Sequence, residues 1–413
     1  MKPAKRVRVR ADDLDATAIE AYLYGFPLLL MDAAARHATA GQSAGFNRFL
    51  HCFDLAETCL RAIVLPGRDL VCSVAWLDLR AGPVVLTSLQ TDSYYVMSLI
   101  DAWTNVFATL GTRATGNADH RFAITGPHFT GPVPANCTRI SAPTNLVCIV
   151  AQSSVEDVSR TQVLAALDER YRLEPSGTKS LRLEPACALR DVDTLPAEEA
   201  FSRIRELMTD NPSTRADSSA VEALESLSGF EGRETTAVAV AQARRQIDDT
   251  SIDADQSGWA IDASAGHYGI DYLRRARAAR YNFLAGAVQD VLCAQTSVDA
   301  HHIRLTGSKH YVLHFDAWDE PPARAFWSLS AFDDERCVAP NVLGRATIDS
   351  RQPLARRSNR SLDVHLAHDE PAGDLAQNWL ACPPCEFTLA LRLYWPQPAA
   401  LSGVWIPPAV ATL

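Results

Sequence analysis

The chain has 413 residues, 47% of them hydrophobic and 21% charged, with a formal net charge of -10 and a pI near 5.6. That length exceeds what one hydrophobic core usually organises, so two domains are expected. The acidic balance argues against a nucleic-acid partner or an anionic membrane surface.

The N-terminus, MKPAKRVRVRADDLD, carries basic residues without an apolar run behind them, unlike a secretory signal. No window approaches the roughly 18 uninterrupted apolar residues of a membrane span. Cys72, Cys148 and Cys293 sit inside apolar runs, as buried thiols of a reducing cytosol would.

In chain order, Ala16 to Thr39 reads as helix, with Pro27 marking a kink or a break between two helices. From Phe46 to Asn145 the texture is β, with apolar runs such as LVCSVAWLDL and PVVLTSL between PGRD and RAGP turns. A helix over Val155 to Tyr171 is expected to open on a capping box of Ser154 and Asp157. Pro196 to Met208, Ser218 to Ser226 and Thr235 to Asp248 read as further helices, and Tyr268 to Val291 as a long one. After Gly307 four strand-like runs follow: HYVLHF, AFWSLSAF, SLDVHLAHD and FTLALRLYWP. With few βαβ alternations, sheets packed on sheets fit better than a doubly wound parallel fold.

The stretch DSYYVMSLIDAWTNVFATLGTRATG, residues 92 to 116, carries the candidate site. Tyr94 to Ile100 looks like a strand covered on both faces. If extended geometry continues, Asp101, Trp103 and Asn105 project on the side of Tyr95, and a polar turn with Arg113 follows. Such a group could hold an oxygen-rich small molecule, the indole stacking and Asp, Asn and Arg hydrogen-bonding. The plainer alternative is a satisfied buried network that pins one strand end. Asp69 has the same two readings, turn stabiliser or general base.

Other motifs weigh less. Gly41 to Gly45 matches G-x-S-x-G, but a helix precedes it where a nucleophile elbow needs a strand. His310 and His314 lie four residues apart on one strand face, roughly 13 Å, too far for one ion; a metal site would have to be assembled across strands. Cys382 and Cys385 form a lone CxxC in a turn, giving two thiols or a strained disulfide. No dinucleotide or phosphate-loop glycine motif is present, so no cofactor is expected, and no metal. Arg274, Arg275, Arg277 and Arg280 read as a solvated or subunit-contacting helix face.

Several phrases resemble a bacterial family that pairs domain of unknown function 1254 with domain of unknown function 1214. AYLYGFPLLLMD, SVAWLDLRAGPVVL, YYVMSLIDAWTNVFATLGTRATG and APTNLV resemble the first; YGIDYLRRA, GSKHYVLHF, PPARAFWSLSAFD, HDEPAG, NWLACPP and LRLYWPQP resemble the second. The resemblance implies two β-sandwich-like domains with flanking helices. Family members usually read P-N-x-D-T-L-Y before the SAWLDL strand, where this chain has Pro66, Gly67, Arg68, Asp69, Leu70, Val71 and Cys72. If that segment lines the family's pocket, the version here is drier and smaller-sided. His51, His314 and His368 fall at family-like phrases and are candidates for acid/base roles.

The expected fold is therefore α+β, mainly β: a β-rich domain over residues 14–175, a helical segment over 176–295 and a β-sandwich over 296–413. The expected function is a cytosolic, cofactor-independent enzyme on a small oxygenated molecule, by acid/base chemistry such as hydrolysis, elimination or cyclisation, of the kind met in specialised metabolism. Asp69, Asp101 and His51 would be catalytic, and Trp103, Asn105, Arg113, Tyr95 and Trp76 would bind substrate. The alternatives are a non-catalytic carbohydrate or small-molecule binder using the tryptophan-rich strands, and a homo-oligomeric scaffold.

Overall fold

The computed structural model describes residues 11–40, 45–53, 70–154, 159–176, 189–249, 257–335 and 347–413. It begins with a helix, α1 (Ala11–Thr39), followed by β1 (Phe49–Cys52), β2 (Val71–Asp78), β3 (Val84–Ser88), β4 (Tyr95–Asp101), β5 (Val106–Gly111), β6 (His120–Thr125), β7 (Thr138–Ser141) and β8 (Leu146–Ser153). Then come α2 (Arg160–Arg170), β9 (Tyr171–Pro175), α3 (Ala197–Asp210), α4 (Ser218–Ser226), α5 (Glu234–Asp248), β10 (Ala260–Ile261) and α6 (Tyr272–Tyr281). The last part holds β11 (Val291–Thr296), β12 (Tyr311–Phe315), β13 (Ala323–Phe332), β14 (Thr347–Asp349), β15 (Leu362–Ala367), β16 (Trp379–Ala381), β17 (Thr388–Pro396), α7 (Pro398–Leu401) and β18 (Ala411–Thr412).

Alternation of side chains along these strands builds two sandwiches. In the first, sheet β1-β2-β8-β4-β5 faces sheet β7-β6-β3-β9. Their shared core takes every second residue of the central strands: Ala75 and Leu77, Met97 and Leu99, Ile149 and Ala151, against Leu86, Phe122 and Ile124. In the second, sheet β10-β11-β17-β13-β14 faces sheet β16-β15-β12-β18 over Leu292, Ala294, Leu391, Leu393, Leu329, Tyr311, Leu313 and Val364. Fully burying such side chains stabilises by about 1.5–3 kcal/mol each. The protein is thus α+β, two β-sandwiches with a leading helix and a helical segment between them.

The opposite face of the first sheet explains α1. Val74, Trp76, Ile100, Cys148 and Val150 turn away from the sandwich core onto the helical layer, where α1 packs with Phe201, Ile204, Val240 and Ala243. Residues 21–35 are buried without interruption, which is why α1 is apolar all round. It is long and apolar enough to cross a membrane by composition, yet it lies inside the protein.

Several local expectations are corrected. Pro27 sits within one continuous helix, so there is no break there; its missing N–H is absorbed in a helix held by packing on all sides. Gly25 has a packing reason: a Cβ would fall 2.3 Å from Ile204 Cδ1 on α3. α2 opens on a capping box of Ser159 with Gln162, so it starts after the expected Val155; Asp157, the expected partner of Ser154, lies outside the described residues. Nor is 268–291 one long helix. Asp271 caps α6 by accepting the N–H of Arg274, the helix stops at Asn282, and Leu284 adopts φ +60°. Thereafter the chain becomes β11, an edge-to-centre strand of the second sandwich.

Candidate functional site

The expected site divides among separate environments. Beyond Ile100 the strand does not run on. The N–H of Asp101 donates to the Asn105 carbonyl, the N–H of Thr104 donates to the Asp101 carbonyl, and Thr104 takes φ +66°. Inside this turn the Asp101 carboxylate accepts the N–H groups of Trp103 and Asn105, both at 2.9 Å. The Asn105 amide approaches both carboxylate oxygens at 3.4 Å. Burial pushes the Asp101 carboxyl up to about 6, against the lowering effect of those donors and of Arg275. So Asp101, Trp103 and Asn105 do meet, through a turn and not along an extended face shared with Tyr95.

Trp103 is sealed into the helical layer. Its ring stacks on Tyr24 at 4.5 Å, and its Nε1–H donates to the Pro212 carbonyl at 3.2 Å. Arg275 lies over the rings of Trp103, Tyr24 and Tyr272, at 5.6, 5.5 and 5.1 Å. It is buried, and burial lowers its affinity for its proton. This corrects the solvated reading of that helix for Arg275; Arg277 donates to Gln246 and Arg280 pairs with Asp193, while Arg274 is exposed.

The remaining candidates lie elsewhere. Arg113 pairs with Asp290. Tyr95 donates its hydroxyl to the Gly116 carbonyl and lies under the Arg170 guanidinium. His51 contacts Ser73 through Nδ1 at 2.6 Å and Asp168 through Nε2 at 3.2 Å; burial lowers its pKa in spite of Asp168. Trp76 is buried in the helix-facing core. Asp69 and most of Gly41 to Gly45 lie outside the described residues. His314 is held by Asp363, which raises its pKa, and His368 Nδ1 contacts the Cys382 carbonyl. Cys382 and Cys385 are both free thiols, the first buried and the second exposed, so they form no disulfide.

A different place has the shape of a site. The outward face of the first sheet and the outward face of the second sandwich's first sheet meet across a cavity of about 110 Å3. Ser98 and Gln152 line it from β4 and β8; Gln295, Arg392 and Tyr394 line it from β11 and β17. The loop after α6 closes it with Asn282 and Gly286, and Asp262 stands at one side. Arg392 is only 6% exposed, while Tyr394 stacks on Phe326 at 4.4 Å, which stiffens that wall. A second cavity, about 100 Å3, is ringed by Arg36, Arg80, Arg203 and acidic partners. Its charges are matched, Arg203 with Asp32 and Glu206, Arg80 with Asp78 and Asp210.

Sequence reasoning missed the first cavity because its two walls come from strands far apart in the chain, β4 and β8 ending at Ser153 and β11 and β17 beginning at Val291. The only local signal was a polar residue at alternate positions of otherwise apolar strands, as in LALRLYW and VLCAQT.

Comparison with known proteins places these units. Residues 46–175 match a family described as Protein of unknown function (DUF1254), and residues 290–398 match Protein of unknown function (DUF1214). No curated protein matches the chain. A crystal structure of a Vibrio parahaemolyticus protein is similar at TM-score 0.74 with 17% identity, covering 97% of this chain and 100% of that one; at this identity it speaks for the fold alone. An uncharacterised Burkholderia cenocepacia protein is matched over 97% of this chain and 94% of its own, at 10% identity and TM-score 0.49.

Proposed function

The chain belongs to the family that joins a DUF1254 unit to a DUF1214 unit, and on the geometry of their junction we propose that it binds a small oxygen-rich molecule in the inter-sandwich cavity. The carrying observation is convergence: Ser98 and Gln152 from one unit, and Gln295 and Arg392 from the other, line one small cavity with an aromatic wall. Ligand pockets favour domain junctions, and a few placed polar groups among apolar walls fix a ligand's orientation. Hydroxyl, amide and guanidinium groups suit hydroxyl, carbonyl or carboxyl oxygens.

An acid/base enzyme centred on Asp101 has less support. Its carboxyl has a suitable acidity, but Trp103 and Asn105 already supply donors to it within the turn. His51 and Asp101 also belong to different surroundings, α2 for the first and the helical layer for the second.

The test uses Gly286, where an added Cβ would come 3.2 Å from Ser98 Oγ, so that Gly286→Val fills the cavity. Thermal unfolding is followed with glycerate, malate, glycerol and acetamide. At least one should raise Tm at millimolar concentration, below the range of general osmolyte effects, in the wild type and none should do so in Gly286→Val, because a ligand bound only by the folded state stabilises it. No shift in the wild type, or an equal shift in the variant, overturns the reading.

A further inference from the structure

The outer face of the second sandwich brings two histidines together across strands. His365 on β15 lies opposite Val312 on β12, and His310, two residues before Val312, is its diagonal neighbour on the same face. Their ring centroids are 5.4 Å apart, with the planes inclined by 62°. His365 is 7% exposed. Its Nδ1 and the Nε2 of His310 are both buried, and neither has a hydrogen-bond partner among the described residues. Leaving a buried polar atom unpaired costs about 1–3 kcal/mol, so two such atoms on neighbouring rings call for partners that the protein itself does not supply.

From this pair we propose a site for a late first-row divalent ion such as Zn2+, coordinated by His310 Nε2 and His365 Nδ1. The spacing supports it. With metal–nitrogen bonds of about 2.0–2.1 Å and a tetrahedral angle, two ring centroids bound to one ion stand about 5.2 Å apart. A ligand imidazole must be neutral, and burial, followed by the nearby His310, holds the His365 pKa below its usual value. Asp363 is close enough to act on His365 by its charge, which favours a cation there; Arg357 opposes it. Imidazole nitrogen selects Zn2+, Ni2+ or Cu2+ over Mg2+ and Ca2+. Two protein ligands leave the other coordination positions of the ion to water or to an oxygen or nitrogen ligand that enters with it. The site is assembled from two strands, and it is separate from the cavity between the sandwiches.

The full chain is titrated calorimetrically at pH 7.5 with Zn2+ alone and, separately, with Mg2+ alone. One Zn2+ site per chain is expected, with at least tenfold weaker binding in His310→Gln and in His365→Gln, unchanged binding in the exposed His302→Gln, and no Mg2+ binding. The half-buried His310 guards against loss of fold: His310→Gln should keep the wild-type Tm without metal and lose the Zn2+-induced rise. Absence of Zn2+ binding in the wild type overturns the proposal. So does wild-type affinity in either His310→Gln or His365→Gln, or a match between the affinities for Mg2+ and Zn2+.

Discussion

Arg113 and Asp290 lie 177 residues apart and are joined by two parallel hydrogen bonds, Nε to Oδ1 at 2.5 Å and Nη2 to Oδ2 at 3.0 Å. One comes from the turn after β5 in the first unit, the other from the residue before β11 in the second. Next to them, Arg351 Nη1 donates to Ser154 Oγ, a second polar tie between the sandwiches. The pair therefore fastens the two walls of the cavity, since Val291, adjacent to Asp290, lines it.

Removing one partner should be costly in an asymmetric way. Asp290 is 1% exposed and Arg113 31%, so Arg113→Ala strands a buried carboxylate, whereas the reverse change leaves an arginine that reaches water. Arg113→Ala is expected to lower unfolding stability by roughly 2–4 kcal/mol, more than Asp290→Asn, with the double variant less than additive. Urea unfolding of the three variants measures this; equal losses would mean that the pair is not buried as a unit.

Asp101 makes a prediction about pH. Its folded pKa, about 6, lies above the ordinary 3.8, so between about pH 4 and 6 the folded state holds more protons than the unfolded one. Stability from this group is greatest below pH 4 and falls as pH rises through 6, by roughly 3 kcal/mol in all. Asp101→Asn keeps an acceptor for the Trp103 and Asn105 N–H groups and should flatten that slope without weakening the turn. Asp101→Ala orphans both donors and should cost about 2–3 kcal/mol. Tm against pH for wild type and both variants decides it; an unchanged slope in Asp101→Asn would remove the titration from this residue.

At Gly25 two effects compete. Alanine improves helix propensity by up to about 1 kcal/mol, but here its methyl would press into Ile204, and overpacking costs about 1–3 kcal/mol. Gly25→Ala should therefore destabilise. Shortening the neighbour, as in Gly25→Ala with Ile204→Val, should recover part of the loss. A stabilising single substitution would show that α1 and α3 can separate freely.

The cavity between the sandwiches also predicts a division of labour. Asp101→Asn should leave any Tm shift by glycerate, malate, glycerol or acetamide intact, because Asp101 is absent from the cavity's lining residues; Gln152→Leu and Gln295→Leu should each reduce it. Loss of the shift in Asp101→Asn alone would move the binding site to the helical layer.

Apolar, β-branched and aromatic runs between turns, as in SVAWLDL, YVMSLID and LALRLYW, marked strands, and the breaker-separated runs marked α3, α4 and α5, because these are patterns of composition and spacing within a few residues. The pairing of two family-like halves was likewise readable from contiguous phrases. What the sequence left undecided were the events that depend on a distant partner. The turn at Asp101 forms because its carboxylate captures two N–H groups in the helical layer, and Arg275 is buried because three rings from α1, the β4 turn and α6 enclose it. Neither the partner of Arg113 nor the meeting of Gln152 with Gln295 leaves a trace within a few residues. Secondary structure follows from patterns along the chain, but burial and charge pairing follow from which faces and strands the tertiary fold brings together: closure of one sandwich on the other made the cavity, and the pairing of β12 with β15 made the histidine pair.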